Sequence, residues 1–436
     1  MARGSFWVLI GTVISQGLQL FASIVTARIL GKAGFGELAI IINTVGMFLT
    51  FAAMGLGATA NKHVAEFRVP DPARAGRIIG MSSVAAFVSG LVFTVVVLIF
   101  APALAARTIN APQLAPELRL GSLILFLSVL NGAQRGALAG FEAFKTIAWV
   151  NLASGLLKFP LMVAGVIYWG LMGAVAGQVA GSAVEWFACW LALGREAQRA
   201  KVTVSYRRMR EEWPILWSFS LPAVLTGTML AVTNWGVSAL LVNQPGGFAE
   251  MGLFRAANQW RMALLFIPQM LNQAVIPIMA SALGEGRARS TVRMMFATMG
   301  ANLVIILLPA LAISIASPWI MAQYGPGFTA GWPVLIACLV GAAVIACFSP
   351  VASILVASGR LWLYFWMNLG WAVVMVVGAW GLLSQGALGL SLAYAVSYLI
   401  QAVFLSAYAS GLIGNKGPEA LKLGLKPGPP GPPENQ

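Results

Sequence analysis

Runs of twenty or more mostly apolar residues recur along this chain, parted by short polar stretches, and that recurrence limits its fold more than any other feature. About twenty such residues span the hydrocarbon core of a bilayer. Twelve runs are legible, at about 6–29, 35–60, 78–101, 118–140, 146–168, 170–193, 213–242, 249–279, 292–316, 331–357, 362–383 and 386–410. Only 9% of the 436 residues are charged. A soluble domain carries about 25%, so a soluble enzyme and a disordered chain are both excluded. The first run is too long for a signal-peptide core and leads straight into a second, so it is expected to stay uncleaved.

The formal charge of +14 matters through its placement. With the N-terminus in the cytoplasm, alternate inner segments hold Arg3; Lys62, Arg68, Arg74 and Arg77; Arg135 and Lys145; Arg195, Arg199, Lys201, Arg207, Arg208 and Arg210; Arg287, Arg289 and Arg293; Arg360; and Lys416, Lys422 and Lys426. These are 20 of the 27 Lys and Arg residues. Outer loops hold Lys32, Arg107 and Arg119. The bias puts both termini inside and accounts for the basic charge without nucleic acid. The run at 195–210 orients helices, with anionic membrane lipids as a secondary contact. Trp169, Trp319, Trp332 and Trp380 fall near outer ends, where interfacial aromatics collect. Cys189, Cys338 and Cys347 lie in apolar runs, and their odd number argues for free core thiols rather than a disulfide framework.

The halves repeat. GFGE at 34–37 matches GFAE at 247–250, an offset of 213; Trp149-Val-Asn151-Leu matches Trp366-Met-Asn368-Leu at 217; Gly170-Leu-Met-Gly173 matches Gly386-Ala-Leu-Gly389 at 216. Six helices per half make both halves enter the membrane in the same sense. The expected architecture is therefore an all-α membrane protein of twelve transmembrane helices, arranged as two six-helix bundles related by a parallel pseudo-twofold repeat. The expected boundaries are 1–200 for the N-terminal lobe, 201–212 for a cytoplasmic linker, 213–411 for the C-terminal lobe and 412–436 for a proline-rich cytoplasmic tail without a core of its own.

Ionisable residues inside spans cost about 2.5–3.5 kcal/mol each on insertion scales and gather in bundle interiors or wet cavities. Here they are Arg28, Lys158, Glu185, Arg255 and Arg261, with Glu37 and Glu250 nearer the outer boundary and read as structural. The eighth span places Arg255, Asn258, Gln259, Arg261, Gln269, Asn272 and Gln273 on one side, within an arc of roughly 160° at about 100° per residue. A helix polar along one side lines water or a polar partner; hydrogen bonding inside a closed bundle is the alternative. Pro268 and Pro277 would bend it. Lys158 and Glu185 either neutralise each other or divide into an anion contact and an ion-coupling site. Arg28 either snorkels to the interface or joins the cavity. The interior is net cationic, which favours an anionic headgroup in low dielectric. Arginine's planar fork suits phosphate, and the neighbouring amides suit hydroxyl-rich groups.

No enzyme chemistry is legible. His63, the lone histidine, lies in a basic loop; there is no metal-ligand cluster, no Walker A sequence and no cofactor motif. The longest outer loop, about 102–117, is short for a membrane glycan polymerase or ligase.

Residues 26–40, TARILGKAGFGELAI, resemble the Arg-x-Leu-Gly…Gly-x-Gly signature that opens polysaccharide (Wzx-type, O-antigen) flippases of the multidrug/oligosaccharidyl-lipid/polysaccharide exporter superfamily. The resemblance implies a V-shaped pair of lobes working by alternating access in the bacterial inner membrane. It also implies a polyprenyl-diphosphate-linked oligosaccharide as cargo, moved from the cytoplasmic to the periplasmic leaflet. Arg28 is the charged position carried over from the motif. On the polarity argument, Lys158, Arg255 and Arg261 are expected to hold phosphate or acidic sugars, and Asn258, Gln259, Asn272 and Gln273 to contact sugar or water. Glu185 is the expected coupling site for H+ or Na+, and polysaccharide-assembly proteins are expected partners. The rivals are a cation-coupled drug or metabolite antiporter of the same superfamily, which a cationic cavity opposes, a glycan polymerase or ligase, and a scaffold without transport.

Overall fold

A computed structural model describes residues 2–207, 209–213, 221–285 and 287–413. Arg208, the start of the expected seventh span and the tail beyond 413, with Lys416, Lys422 and Lys426, lie outside the described residues. Those described form twelve α-helices and no strand: α1 Ala2–Ala53, α2 Leu56–Phe67, α3 Pro72–Ala103, α4 Ala115–Gly140, α5 Phe144–Arg199, α6 Leu221–Val242, α7 Gly247–Gly284, α8 Ala288–Ile315, α9 Ser317–Gln323, α10 Trp332–Ala357, α11 Leu361–Gly381 and α12 Gly386–Ile413. Ten are long and apolar enough to cross a membrane, all but α2 and α9. Their outer surfaces suit lipid: α3 alone exposes Phe87, Val88, Leu91, Val92, Val95 and Ile99.

Two of the ten each contain two expected spans. At 56 residues, α5 would be about 84 Å long if straight, nearly three times the bilayer core. It breaks at Trp169 and Gly170, where a φ of +55° and ψ of −131° suit glycine. Its arms then lie side by side. A Cβ on Gly165 would come within 2.2 Å of the Gly173 carbonyl oxygen, one on Gly177 within 2.6 Å of Met162 Cα, and one on Gly181 within 2.5 Å of Lys158 Cγ. Numbers rise on one arm as they fall on the other, so α5 is an antiparallel hairpin closed by small residues.

The 52-residue α1 breaks at Gly31, with a φ of +69°. Its first arm runs parallel to the first arm of α5, with Ser15 against Gly155 and Phe21 against Phe159. Its second arm, continued by α2, runs parallel to α4: Ile41 and Val45 meet Gly121, Gly57 meets Gly136 and Val64 meets Gly140. In turn, α4 runs parallel to the second arm of α5, with Gly121 against Val175 and Asn131 donating to the Ser182 carbonyl at 3.3 Å. The two arms of α1 therefore point in opposite senses. Split at these two breaks, the ten candidate helices among the described residues give twelve segments long enough to cross.

The sequence match at 170–173 and 386–389 has a backbone counterpart. Gly386, with φ +59° and ψ −132°, repeats the conformation of Gly170. A Cβ on Gly173 would lie 1.8 Å from the Gly165 carbonyl oxygen, and one on Gly389 would lie 1.9 Å from that of Leu382.

Burial divides into three cores. The largest draws on both halves of the chain, from Phe35, Leu38 and Ile41 to Phe254, Tyr324, Phe328 and Leu335. Phe35 sits 6.4 Å from Tyr324 and 6.2 Å from Phe328, centroid to centroid, and all three are fully buried. Backbones meet beside this aromatic cluster, where a Cβ on Gly36 would strike the Phe248 carbonyl oxygen at 1.8 Å. At the end that carries the basic segments the cores separate. One contains Val64, Ile78, Leu138, Cys189 and Val202; the other contains Met279, Met295, Ile354 and Leu405. Cys189 and Cys338 are buried free thiols, and Cys347 is half-buried.

The segment after α5 packs closely on α3. Cβ atoms on Gly76 and Gly80 would come within 2.0 and 2.3 Å of the Thr203 and Ser205 carbonyl oxygens. Glu212 is buried and accepts from Arg74 at 3.1 Å and from Arg77 at 3.2 Å.

Candidate functional site

A cavity of about 250 Å³ lies where the first arm of α1, both arms of α5, α4 and α7 converge. Helical spacing aims each contribution. Ser15, Gln16, Gln19, Ala22, Ser23 and Thr26 form one face of α1. Asn151, Ser154, Gly155, Lys158, Phe159 and Met162 form one face of α5, whose returning arm adds Gln178 and Glu185. Arg135 enters from α4, and Arg255 and Gln259 enter one turn apart from α7.

The electrostatics are asymmetric. Arg135 is the cation that pairs with Glu185, at 2.8 Å, and it also donates to Asn151 Oδ1 at 2.5 Å. Lys158 makes no hydrogen bond or ion pair among the described residues; its stem lies along Gly181, where any side chain would displace it. Arg255 lies over the Phe35 ring at 5.4 Å, and its buried Nε has no hydrogen-bond partner among the described residues. The buried hydroxyls of Ser23 and Ser154 also lack partners. Three cations thus face one carboxylate in a polar chamber, and all three keep unused donors, since Arg135 Nε is also buried without a partner among the described residues. Such a chamber can take an anion and bond it through several donors at once.

The structure gathers Lys158, Glu185, Arg255 and Gln259 at this cavity and sends the other expected residues elsewhere. Exposed Arg28 donates through Nε to the Gln323 carbonyl at 2.5 Å and through a terminal nitrogen to Gln323 Oε1 at 3.2 Å, tying α1 to α9. Arg261 is buried, donates to Asn258 Oδ1 at 2.6 Å and lies 5.2 Å from the Tyr394 ring centroid. Asn272 donates to Ser349 at 2.6 Å and accepts from Asn302 at 3.2 Å. Gln273 is exposed. The polar arc of α7 therefore serves two neighbours, α1 on one side and α10 on the other, rather than one wet wall. Glu250 accepts the Ala387 N–H at 2.8 Å, at the start of α12.

Arg135 is the main residue that sequence reasoning placed wrongly. Assigned to an inner segment, it sits more than a turn inside α4, which runs on to Gly140. The polar stripes of α1 and the first arm of α5 were also missed. The 3–4-residue recurrence of Ser15, Gln19, Ser23 and Thr26, and of Asn151, Ser154 and Lys158, was the available signal.

Comparison with known proteins places this geometry. The Polysaccharide biosynthesis protein family matches residues 1–283. The EPS I polysaccharide export inner membrane protein EpsE of Ralstonia nicotianae is 25% identical over 423 residues, covering 92% of each chain. Among solved structures, an inward-facing multidrug resistance MATE family transporter of the MOP superfamily superposes with a TM-score of 0.75 at 17% identity, over 94% of this chain and 96% of its own. The lipid II flippase MurJ, in an inward closed conformation, gives a TM-score of 0.71 at 13% identity, over 95% of this chain and 91% of its own. At such identities the two structures speak for the fold alone, whereas the family match spans well over half of the chain: this protein belongs to the polysaccharide biosynthesis protein family.

Proposed function

We propose that this protein is a flippase that carries a polyprenyl-diphosphate-linked oligosaccharide from the cytoplasmic to the periplasmic leaflet of the bacterial inner membrane by alternating access. One observation carries the reading: Lys158 and Arg255 face a single polar cavity and neither forms an ion pair among the described residues, the one carboxylate there, Glu185, being held by Arg135. Leaving two cations unpaired among apolar helices is costly, and a diphosphate would offset that cost with charge-assisted hydrogen bonds. Gln16, Gln19, Gln178 and Gln259 supply neutral donors and acceptors around it. A volume of about 250 Å³ suits a diphosphate and its first neighbours rather than a whole oligosaccharide.

In this reading residues 1–200 and 213–411 act as two six-helix lobes related by a parallel pseudo-twofold, joined through 201–212. The equivalent turns at Gly170 and Gly386 support that arrangement, as do the separate cores at the basic end. Both termini are assigned to the cytoplasm on the distribution of Lys and Arg. Arg28 and Arg261 hold helices together, with Asn258 and Asn272, and Gln273 stays outside the route. Glu185, held by Arg135, is the proposed H+ or Na+ coupling site. The likeness to a MATE family transporter favours a drug antiporter as second reading, although its usual cationic cargo would meet repulsion here.

Changing Lys158→Gln and Arg255→Gln separately tests the assignment. Each should lower surface polysaccharide about 10–100-fold, the value of a lost hydrogen bond to a charged group, with normal protein level and lipid-linked repeat units stranded in the cytoplasmic leaflet. Undiminished export at normal protein level would sink it. Intact flipping with shortened or unattached glycan would point to a polymerase or ligase instead, and dye sensitivity on deletion would point to an antiporter.

A further inference from the structure

A second pocket, of about 210 Å³, lies in the C-terminal half between α6, α10, α11 and α12. Among the described residues it has no charged residue in its lining, and Ser349, Tyr364, Asn368, Trp371, Tyr398 and Gln401 supply polar and aromatic groups. The Trp371 ring lies 5.3 Å from that of Tyr398, and Gln401 donates to Asn368 Oδ1 at 3.4 Å. Trp371 is 3% exposed, yet its indole N–H finds no acceptor among the described residues. A buried unsatisfied donor is uncommon and costs stability unless something occupies the site.

The internal repeat relates this pocket to the charged cavity. Asn151 and Ser154 of the cavity correspond to Asn368 and Trp371 of the pocket at an offset of 217, and Glu185 corresponds to Gln401 at 216. These offsets are those of the matched motifs. The two chambers are thus built at equivalent places in each half. The C-terminal copy has an amide where the other has a carboxylate, and an indole where the other has a hydroxyl. The charged copy fits phosphate. The neutral copy has flat aromatic walls for the C–H face of a sugar ring and amides for its hydroxyls. It has room for about seven waters at about 30 Å³ each, the scale of a single ring.

We propose that the pocket at Asn368, Trp371 and Gln401 binds one uncharged sugar residue of the cargo while the Lys158–Arg255 cavity holds its diphosphate. This rests on the flippase reading and extends it to the part of the cargo that determines selectivity. The test uses the purified full-length chain in lipid nanodiscs with two probes: undecaprenyl diphosphate, and the glycosylated lipid extracted from host cells lacking this gene. The glycosylated probe should bind about tenfold more tightly. Trp371→Phe, which keeps a ring and removes the N–H, and Gln401→Leu should each erase most of that difference while leaving binding of the bare diphosphate unchanged. Equal affinity of the native chain for both probes, variants that weaken both probes alike, or variants that keep the tenfold difference would each overturn the pocket assignment. Failure of either lipid to bind the native chain would overturn the flippase reading itself.

Discussion

A single glycine sets the position of the Lys158 side chain. The Lys158 stem runs over Gly181 on the facing arm of α5, so the ammonium group is carried into the cavity by a neighbour that has no side chain. Gly181→Val should push the lysine aside and reduce export at least tenfold without loss of protein; quantifying surface polysaccharide against membrane protein level decides it, and full export would remove the glycine from the mechanism. The Arg135–Glu185 pair is only partly sheltered, with side chains 40% and 21% exposed. Its coupling should therefore lie between surface and buried pairs, about 1–2 kcal/mol. A double-mutant cycle of Arg135→Gln and Glu185→Gln read by thermal unfolding would give that value, and additive losses would show that the pair does not act as a unit. At this scale, Lys158, Glu185, Arg255 and Gln259 were legible because charge in an apolar run is rare. Arg135 was not, because hydropathy blurs helix ends by several residues. Arg261 and Asn272 were misdirected because an arc of roughly 160° is wide enough to face two helices.

Helices were the most legible level, since a run of about twenty apolar residues has few alternatives in a membrane protein. The pairing of neighbours was less so. Small residues govern it, and glycine is common throughout this chain, so sequence does not say which glycine meets which. The reversals at Gly170 and Gly386 are an exception: both lie in the motif shared by the two halves, and both adopt a conformation that a Cβ strains. Gly170→Ala and Gly386→Ala should each cost about 1–3 kcal/mol, measurable as a lowered Tm in detergent; unchanged unfolding in both would mean that the turns tolerate side chains and that their agreement is incidental.

For the whole molecule, the repeat implies two similar halves, but it does not encode where they touch. The halves meet at Phe35, Gly36, Tyr324 and Phe328, with Arg28 reaching Gln323 nearby, and again along α1 and α6, where Trp235 donates to Thr44 at 3.0 Å and Asn43 to Ser238 at 3.2 Å. If the halves part there during transport, a disulfide between Arg28→Cys and Gln323→Cys, in a background lacking Cys189, Cys338 and Cys347, should stop export and release it on reduction. Continued export by the cross-linked chain would show that this end stays closed throughout.

The aromatic cluster also makes the two strokes of such a cycle unequal. On the transport reading, cargo loads from the basic end, where the two halves have separate cores. Discharge on the opposite face requires Phe35 to part from Tyr324 and Phe328, at about 1.5–3 kcal/mol for each large side chain uncovered. The uphill half of the journey is then the exit, and an ion gradient would do its useful work by unfastening that latch rather than by drawing the passenger in.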